Sequence, residues 1–228
     1  KRRTAVLSAI ASGLLVSSLA TLGLAPASAA PSPAERSTSK ATGDIALKGY
    51  GYGTRVVGGQ VPAGSGMTAF TAIGCAVKTG IDRTNEIAEA DLQGNGTVSG
   101  VKTELSTRKV GDAVHSYSRN STASVVLADS PLGTLSIRAI SSLSHAWHDD
   151  KGFHAETATS VGKIVFTPPV GDPQELDIPT PNNPVEVPGL GTIYFGGSAK
   201  KVSDTGAIAR STALRVDMTA SSGTEVYI

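Results

Sequence analysis

The chain has 228 residues, a formal charge of +1 and only 4% aromatic residues. Losing Lys1, Arg2 and Arg3 would take 20 basic residues to 17, against 19 acidic ones, or about −2. That balance gives no electrostatic drive toward nucleic acid or an anionic membrane. Few aromatic side chains are on hand to line a sugar-binding groove.

Residues 1–30 combine a basic head, an apolar run from Ala5 to about Leu24, and the close Ala25-Pro26-Ala27-Ser28-Ala29-Ala30. This is the layout of a secretory signal helix cleaved after Ala29 or Ala30. A retained anchor is the alternative, since about 20 apolar residues can cross a bilayer. The Ala-x-Ala site and the prolines behind it favour cleavage, and with it no membrane insertion of the mature chain. Thr4-Ala5-Val6 suits a twin-arginine signal poorly, and no cysteine stands ready for lipid attachment. About 198 residues would remain, enough for one sizeable core or two small ones.

Residues 31–43 (PSPAERSTSKATG) are polar and aperiodic and read as a flexible leader. From residue 44 to 228 the pattern predicts a single β-rich domain. Candidate strands are Ile45–Val61, Thr68–Val77, Thr84–Leu92, Thr97–Lys109, Val114–Ala128, Thr134–His148, Phe153–Phe166, Val185–Phe195 and Ala207–Met218. Turn signals separate them, among them Gly94-Asn95-Gly96, Asp149-Asp150-Lys151-Gly152 and Asp204-Thr205-Gly206. No amphipathic run of ten or more residues follows the signal, which excludes a parallel α/β fold. The expected class is all-β, a mainly antiparallel β-sandwich.

Three stretches carry more detail. Gly49-Tyr50-Gly51-Tyr52-Gly53 places bare glycines on one face, where another element can come close. Its GxGxG spacing, with no helix behind it, excludes a dinucleotide loop. In Thr134–His148, simple alternation puts Leu135, Ile137, Ala139, Leu143 and Trp147 on the core face and Ser142 and Ser144 in water. Thr167–Pro188 holds seven of the twelve prolines. It reads as an extended crossover, with a domain linker as the alternative. Cys75 is the single cysteine; its neighbours Ile73, Ala76 and Val77 predict a buried thiol, against an exposed thiol joining two chains. The chain opens without Met and stops in the strand-like Thr224–Ile228, so both ends are expected to be trimmed.

Gly51-Tyr52-Gly53-Thr54-Arg55-Val56, Ile73-Gly74-Cys75, Thr79-Gly80-Ile81, Pro181-Asn182-Asn183-Pro184, Pro188-Gly189-Leu190-Gly191-Thr192-Ile193 and Ala213-Leu214-Arg215-Val216 follow one another in an order that resembles the choice-of-anchor P family of exported actinobacterial proteins. The resemblance runs from about Gly49 to Ile228. It implies a secreted or surface-displayed β domain and supplies no catalytic residue.

The chemistry-bearing candidate is His145-Ala146-Trp147-His148-Asp149-Asp150-Lys151-Gly152-Phe153-His154. A hairpin turning at Asp149–Gly152 would set His148 against Phe153, Trp147 against His154 and His145 against Glu156. His145, His154 and Glu156 would then share a face and could ligate Zn²⁺ or Cu²⁺. A polar hairpin tip in water is the competing reading. Ser37-Thr38-Ser39-Lys40, Ser198-Ala199-Lys200-Lys201 and Lys78-Thr79-Gly80 echo the penicillin-binding signature, but in the wrong order and without its helix. Glu86, Glu89 and Asp91 read as exposed strand carboxylates, and Asp91–Gly96 as a hairpin loop without EF-hand spacing. The expectation is therefore a non-enzymatic structural or adhesive module without a cofactor, working at the cell surface or outside it. Its partner would be an envelope or extracellular polymer or protein. A polysaccharide hydrolase or carbohydrate-binding accessory is the alternative, and metal capture at the hairpin tip the third.

Overall fold

A computed structural model describes residues 45–58, 66–219 and 223–228; the signal and leader expected over residues 1–43 lie outside them. Every strand pairing is antiparallel, and no α-helix occurs among the described residues. None of these residues forms a helix long and apolar enough to cross a membrane.

The largest sheet has six strands in chain order: β4 (Asp82–Asp91), β5 (Gly96–Val110), β6 (Ala113–Ser130), β7 (Gly133–Asp149), β8 (Gly152–Thr167) and β9 (Gln174–Leu176). The four central strands run to 15–18 residues, each on the order of 50–60 Å long. Short turns that match the Gly/Asp signals join them into a meander. β9 lies inside the proline-rich stretch, and its three residues are themselves free of proline. It pairs only at the edge, beside β8, where proline-flanked backbone is tolerated.

A second sheet has the order β10 (Val185–Val187), β11 (Gly191–Phe195), β14 (Leu214–Met218), β15 (Thr224–Tyr227) and β2 (Arg55–Gly58). Two ribbons complete the structure: β1 (Leu47–Gly51) with β3 (Thr71–Ala76), and β12 (Ser198–Ser203) with β13 (Gly206–Ser211). Three predicted strands are therefore split. Ile45–Val61 becomes β1 and β2, parted at Tyr52–Thr54. Val185–Phe195 is broken by the Pro188–Leu190 turn, and Ala207–Met218 by Thr212–Ala213. Each break sends the two halves to different sheets or to adjacent strands, which apolar content alone does not reveal.

One buried apolar cluster draws on both larger sheets. Val98, Val125, Leu127, Leu135, Ile137, Ile164 and Phe166 meet Val56, Val187, Ile193, Leu214, Val216 and Val226 there. Removing such large side chains from water is the main stabilising term.

The six-stranded sheet carries a feature that corrects the simple alternation. Ladder pairing is interrupted along one row running Ala88–Gly100–Ala123–Ala139–Gly162. Two of these residues have left-handed backbone, Gly100 at φ 59° and Ala139 at φ 54°. On either side of the row the buried parity inverts. β5 buries Val98, then Val101, Thr103, Leu105 and Thr107; β7 buries Leu135 and Ile137, then Ile140 and Ser142. Leu143 and Trp147 therefore leave the core face, and Ser142 and Ser144 take it. The row must be small: a Cβ on Gly100 would lie 2.7 Å from that of Ala123, and one on Gly162 2.8 Å from that of Ala139. Each strand thus keeps its apolar side chains inward through the bend by spending one residue on it.

Beyond the bend the inward face is covered by the ribbons. β1 packs on β5 and β6, and β12 and β13 on β7 and β8. The alternating glycines act as expected. A Cβ on Gly51 would stand 2.8 Å from Ser118 Oγ and from Thr103 Cγ2, and one on Gly53 would overlap Val101. Cys75, by contrast, is exposed. On β3 it shares the parity of buried Ile73, but the ribbon's register shifts between the Gly49–Ile73 and Leu47–Ala76 pairs, so the alternation that buries Ile73 does not carry on to Cys75.

Candidate binding site

The hairpin tip forms in the expected register, with His148 opposite Phe153, Trp147 opposite His154 and His145 opposite Glu156. His145, Trp147, His154 and Glu156 lie on the face turned away from the ribbons, together with His115 and Tyr117 of β6, which pair with Trp147 and His145. Their rings form a column. Tyr117 stacks on His145 at 4.0 Å, His145 on Trp147 at 4.4 Å, and Trp147 on His154 at 4.8 Å, all within 19° of parallel.

The three proposed ligands do not converge. Trp147 separates the two imidazoles. His154 Nε2 lies 2.9 Å from Asp149 Oδ1, whereas His145 Nδ1 faces Glu156 Oε1 at 3.9 Å. The other edge of His145 is taken as well, with Nε2 3.0 Å from His115 Nδ1. A 5.2 Å centroid separation with a 19° interplanar angle sets these two rings edge to edge. Their facing nitrogens have room for a shared proton, not for an ion with two bonds of about 2 Å. Among the described residues no group of three or more His, Cys, Asp or Glu could hold a metal.

The electrostatics of the column follow from burial. Loss of water pushes the His145 pKa below the usual histidine range, and neighbouring His115 adds to this, while Glu156 opposes it. The neutral ring can donate from Nδ1 toward Glu156 and accept from His115 at Nε2. Asp149 is held below the usual carboxylate range, first by its hydrogen bond from His154.

The other sequence candidates are used locally. Asp91 Oδ1 accepts from Gly94 N at 3.0 Å, and Asn95 Nδ2 donates to Leu92 O at 3.1 Å, so Asp91–Gly96 is a self-bonded turn. Glu86 pairs with Lys102 at 3.2 Å. Ser198-Ala199-Lys200-Lys201 lies on β12, a strand rather than a helix start.

Sequence reasoning missed a groove on the ribbon side. The inward face of β6 and β7 forms its floor, with β1 on one flank and β13 on the other. Its volume is about 540 Å³, within the range of small-ligand sites. The floor is polar because the bend turned serines inward: Ser116, Ser118 and Asn120 on β6, Ser142 and Ser144 on β7. Some of them fasten the walls. Ser118 Oγ donates to Tyr50 O at 3.3 Å, Ser116 Oγ to Lys48 O at 3.4 Å, and Ser144 Oγ shares a 2.9 Å hydrogen bond with Ser211 Oγ. Asn120 Nδ2 donates to Ser142 Oγ at 3.3 Å, and its Oδ1 has no hydrogen-bond partner among the described residues. Tyr50 and Ile208, each about half exposed, stand on the two flanks. Burial raises the Tyr52 pKa, with Arg55 opposing, so its hydroxyl stays protonated in the groove wall. One signal was available in the sequence: serine at every second position of two adjoining strands marks a continuous polar face.

Comparison with family models, with curated proteins and with solved structures finds no match.

Proposed function

We propose that the chain is a secreted or surface-displayed, non-enzymatic adhesive module that binds an extracellular polymer in the groove between its two ribbons. The reading rests on one observation: a concave surface of about 540 Å³ with a floor of serine and asparagine side chains. Among the described residues no Asp or Glu lines that groove. A glycosidase needs two carboxylates flanking the bond it cleaves, so binding without turnover is favoured over hydrolysis. The cluster shared by the six- and five-stranded sheets supports a β-sandwich as the rigid body, with the ribbons as an elaboration at one end. The basic-apolar-small head of the sequence supports export, and the likeness to the choice-of-anchor P family agrees with display outside the cell.

Affinity electrophoresis of residues 31–228 through gels holding single soluble polysaccharides tests the reading. Retardation by at least one polymer, abolished when Ala146 on the groove floor is replaced by Trp and unaccompanied by release of reducing ends, is expected. Migration unaltered by every polymer would overturn binding, and reducing ends produced by the pure protein would overturn the non-enzymatic claim.

A further inference from the structure

The charge lining the groove narrows what it holds; this step rests on the groove being the binding site. Among the described residues only two ionic side chains line it, Lys48 on β1 and Arg210 on β13, and both are cationic. They stand on opposite walls. Both are exposed, and neither makes an ion pair with another described residue. Some cations elsewhere are paired, Lys102 with Glu86 and Glu104, Arg108 with Asp82 and Lys163 with Glu175, while Lys78, Arg83, Lys109, Lys200 and Lys201 make no ion pair with a described residue either. What sets Lys48 and Arg210 apart is their place on the two walls of one groove. Two cations across a concave surface whose described lining holds no carboxylate focus a positive potential into it, although the chain as a whole is near neutral.

The remaining lining chooses between anions. Ser116 and Ser118 spend their protons on the carbonyls of Lys48 and Tyr50, so what the floor keeps for a ligand is mainly hydroxyl acceptor capacity, which suits a chain of hydroxyl groups that can donate to it. A peptide strand would instead need backbone groups in ladder register, and the floor of this groove is side chains standing off a sheet already paired on both sides. Tyr50 adds a half-exposed ring on one flank, a surface for the C–H face of a sugar.

We infer that the groove binds an anionic polyhydroxylated polymer, its carboxylates or phosphodiesters held between Lys48 and Arg210 and its hydroxyls by the serine floor. Isothermal titration with three probes tests this: hexagalacturonate, its fully methyl-esterified form, and a glycerol-phosphate hexamer. Binding of either charged probe at least tenfold tighter than the ester is expected, weakening as salt rises from 20 to 500 mM, and lost at least tenfold in Lys48→Gln/Arg210→Gln. The probe preferred tells carboxylate from phosphodiester. Equal or tighter binding of the neutral ester would overturn the inference while leaving the groove as the site, as would a double variant that binds the charged probes unchanged. If none of the three probes bound, and no polysaccharide retarded the protein in gels, the underlying reading would fall with it. Far-ultraviolet dichroism of the double variant confirms its fold; both side chains are exposed.

Discussion

Replacing Gly100 by Ala tests the bend on which the groove depends. At φ 59° an L-residue costs roughly 1 kcal/mol, partly offset by about 0.5 kcal/mol because the unfolded chain is stiffer. The new methyl would lie 2.7 Å from Ala123 Cβ, and relieving such an overlap costs about 1–3 kcal/mol. Gly100→Ala is therefore expected to destabilise by about 2–3 kcal/mol. Gly111 is the control: it has nearly the same φ, 60°, with nothing within 4 Å of the added Cβ, so Gly111→Ala should cost about 0.5–1 kcal/mol. Adding Ala123→Gly to Gly100→Ala removes the overlap and should restore more than about 1 kcal/mol of coupling energy. Urea denaturation of these three variants and of Ala123→Gly alone measures all three quantities. If Gly100→Ala costs no more than Gly111→Ala, and Ala123→Gly fails to rescue it, the packed row of small residues is not what shapes the sheet.

The inverted parity makes Ile137→Ala cost about 2–5 kcal/mol as a buried core deletion, whereas Leu143→Ala, on the open face and partly exposed, should cost less than about 1.5 kcal/mol; equal losses in denaturation would contradict the inversion. His145, neutral in the fold, should titrate by NMR below the ordinary histidine value of about 6.5. Its contribution to stability is then full above that value and declines as pH falls toward the folded pKa, because the unfolded chain takes up a proton the fold resists; a midpoint above 6.5 would reverse the sign and refute the burial argument. Cys75, exposed, should react with a maleimide in the native protein as completely as in urea, and protection in the native state would place it inside.

Much of the fold was legible because its longest strands obey local rules. β5 to β8 end at Gly/Asp turns that the sequence displays openly, and the His145–Glu156 register followed from the length of the Asp149–Gly152 turn alone. The inversion at Ala139 was not legible. Alanine at φ 54° leaves no compositional mark, and its meaning appears only when Gly100, Ala123 and Gly162 line up beside it across the sheet. That one row decides the site, since it turns Ser142 and Ser144 inward and sends Trp147 outward. β12 was hidden for a different reason: it is exposed throughout and has no apolar period to find. The metal expectation placed the right residues on one face, but alternation says nothing of which rings stack, and Trp147 fills the space between His145 and His154. The role of Gly51 and Gly53 was readable from their spacing; Ser118 and Val101, the side chains they approach, were not.

A ¹H–¹⁵N spectrum of the protein titrated with hexagalacturonate tests the central claim most directly, because the two faces of the long sheet carry separate reporters. The account predicts shifts at Tyr50, Ser118, Ser144 and Arg210 around the groove, with the indole N–H of Trp147, the single tryptophan, left in place. Movement of the Trp147 indole with silence at the groove residues would contradict it and transfer the binding face to the aromatic column.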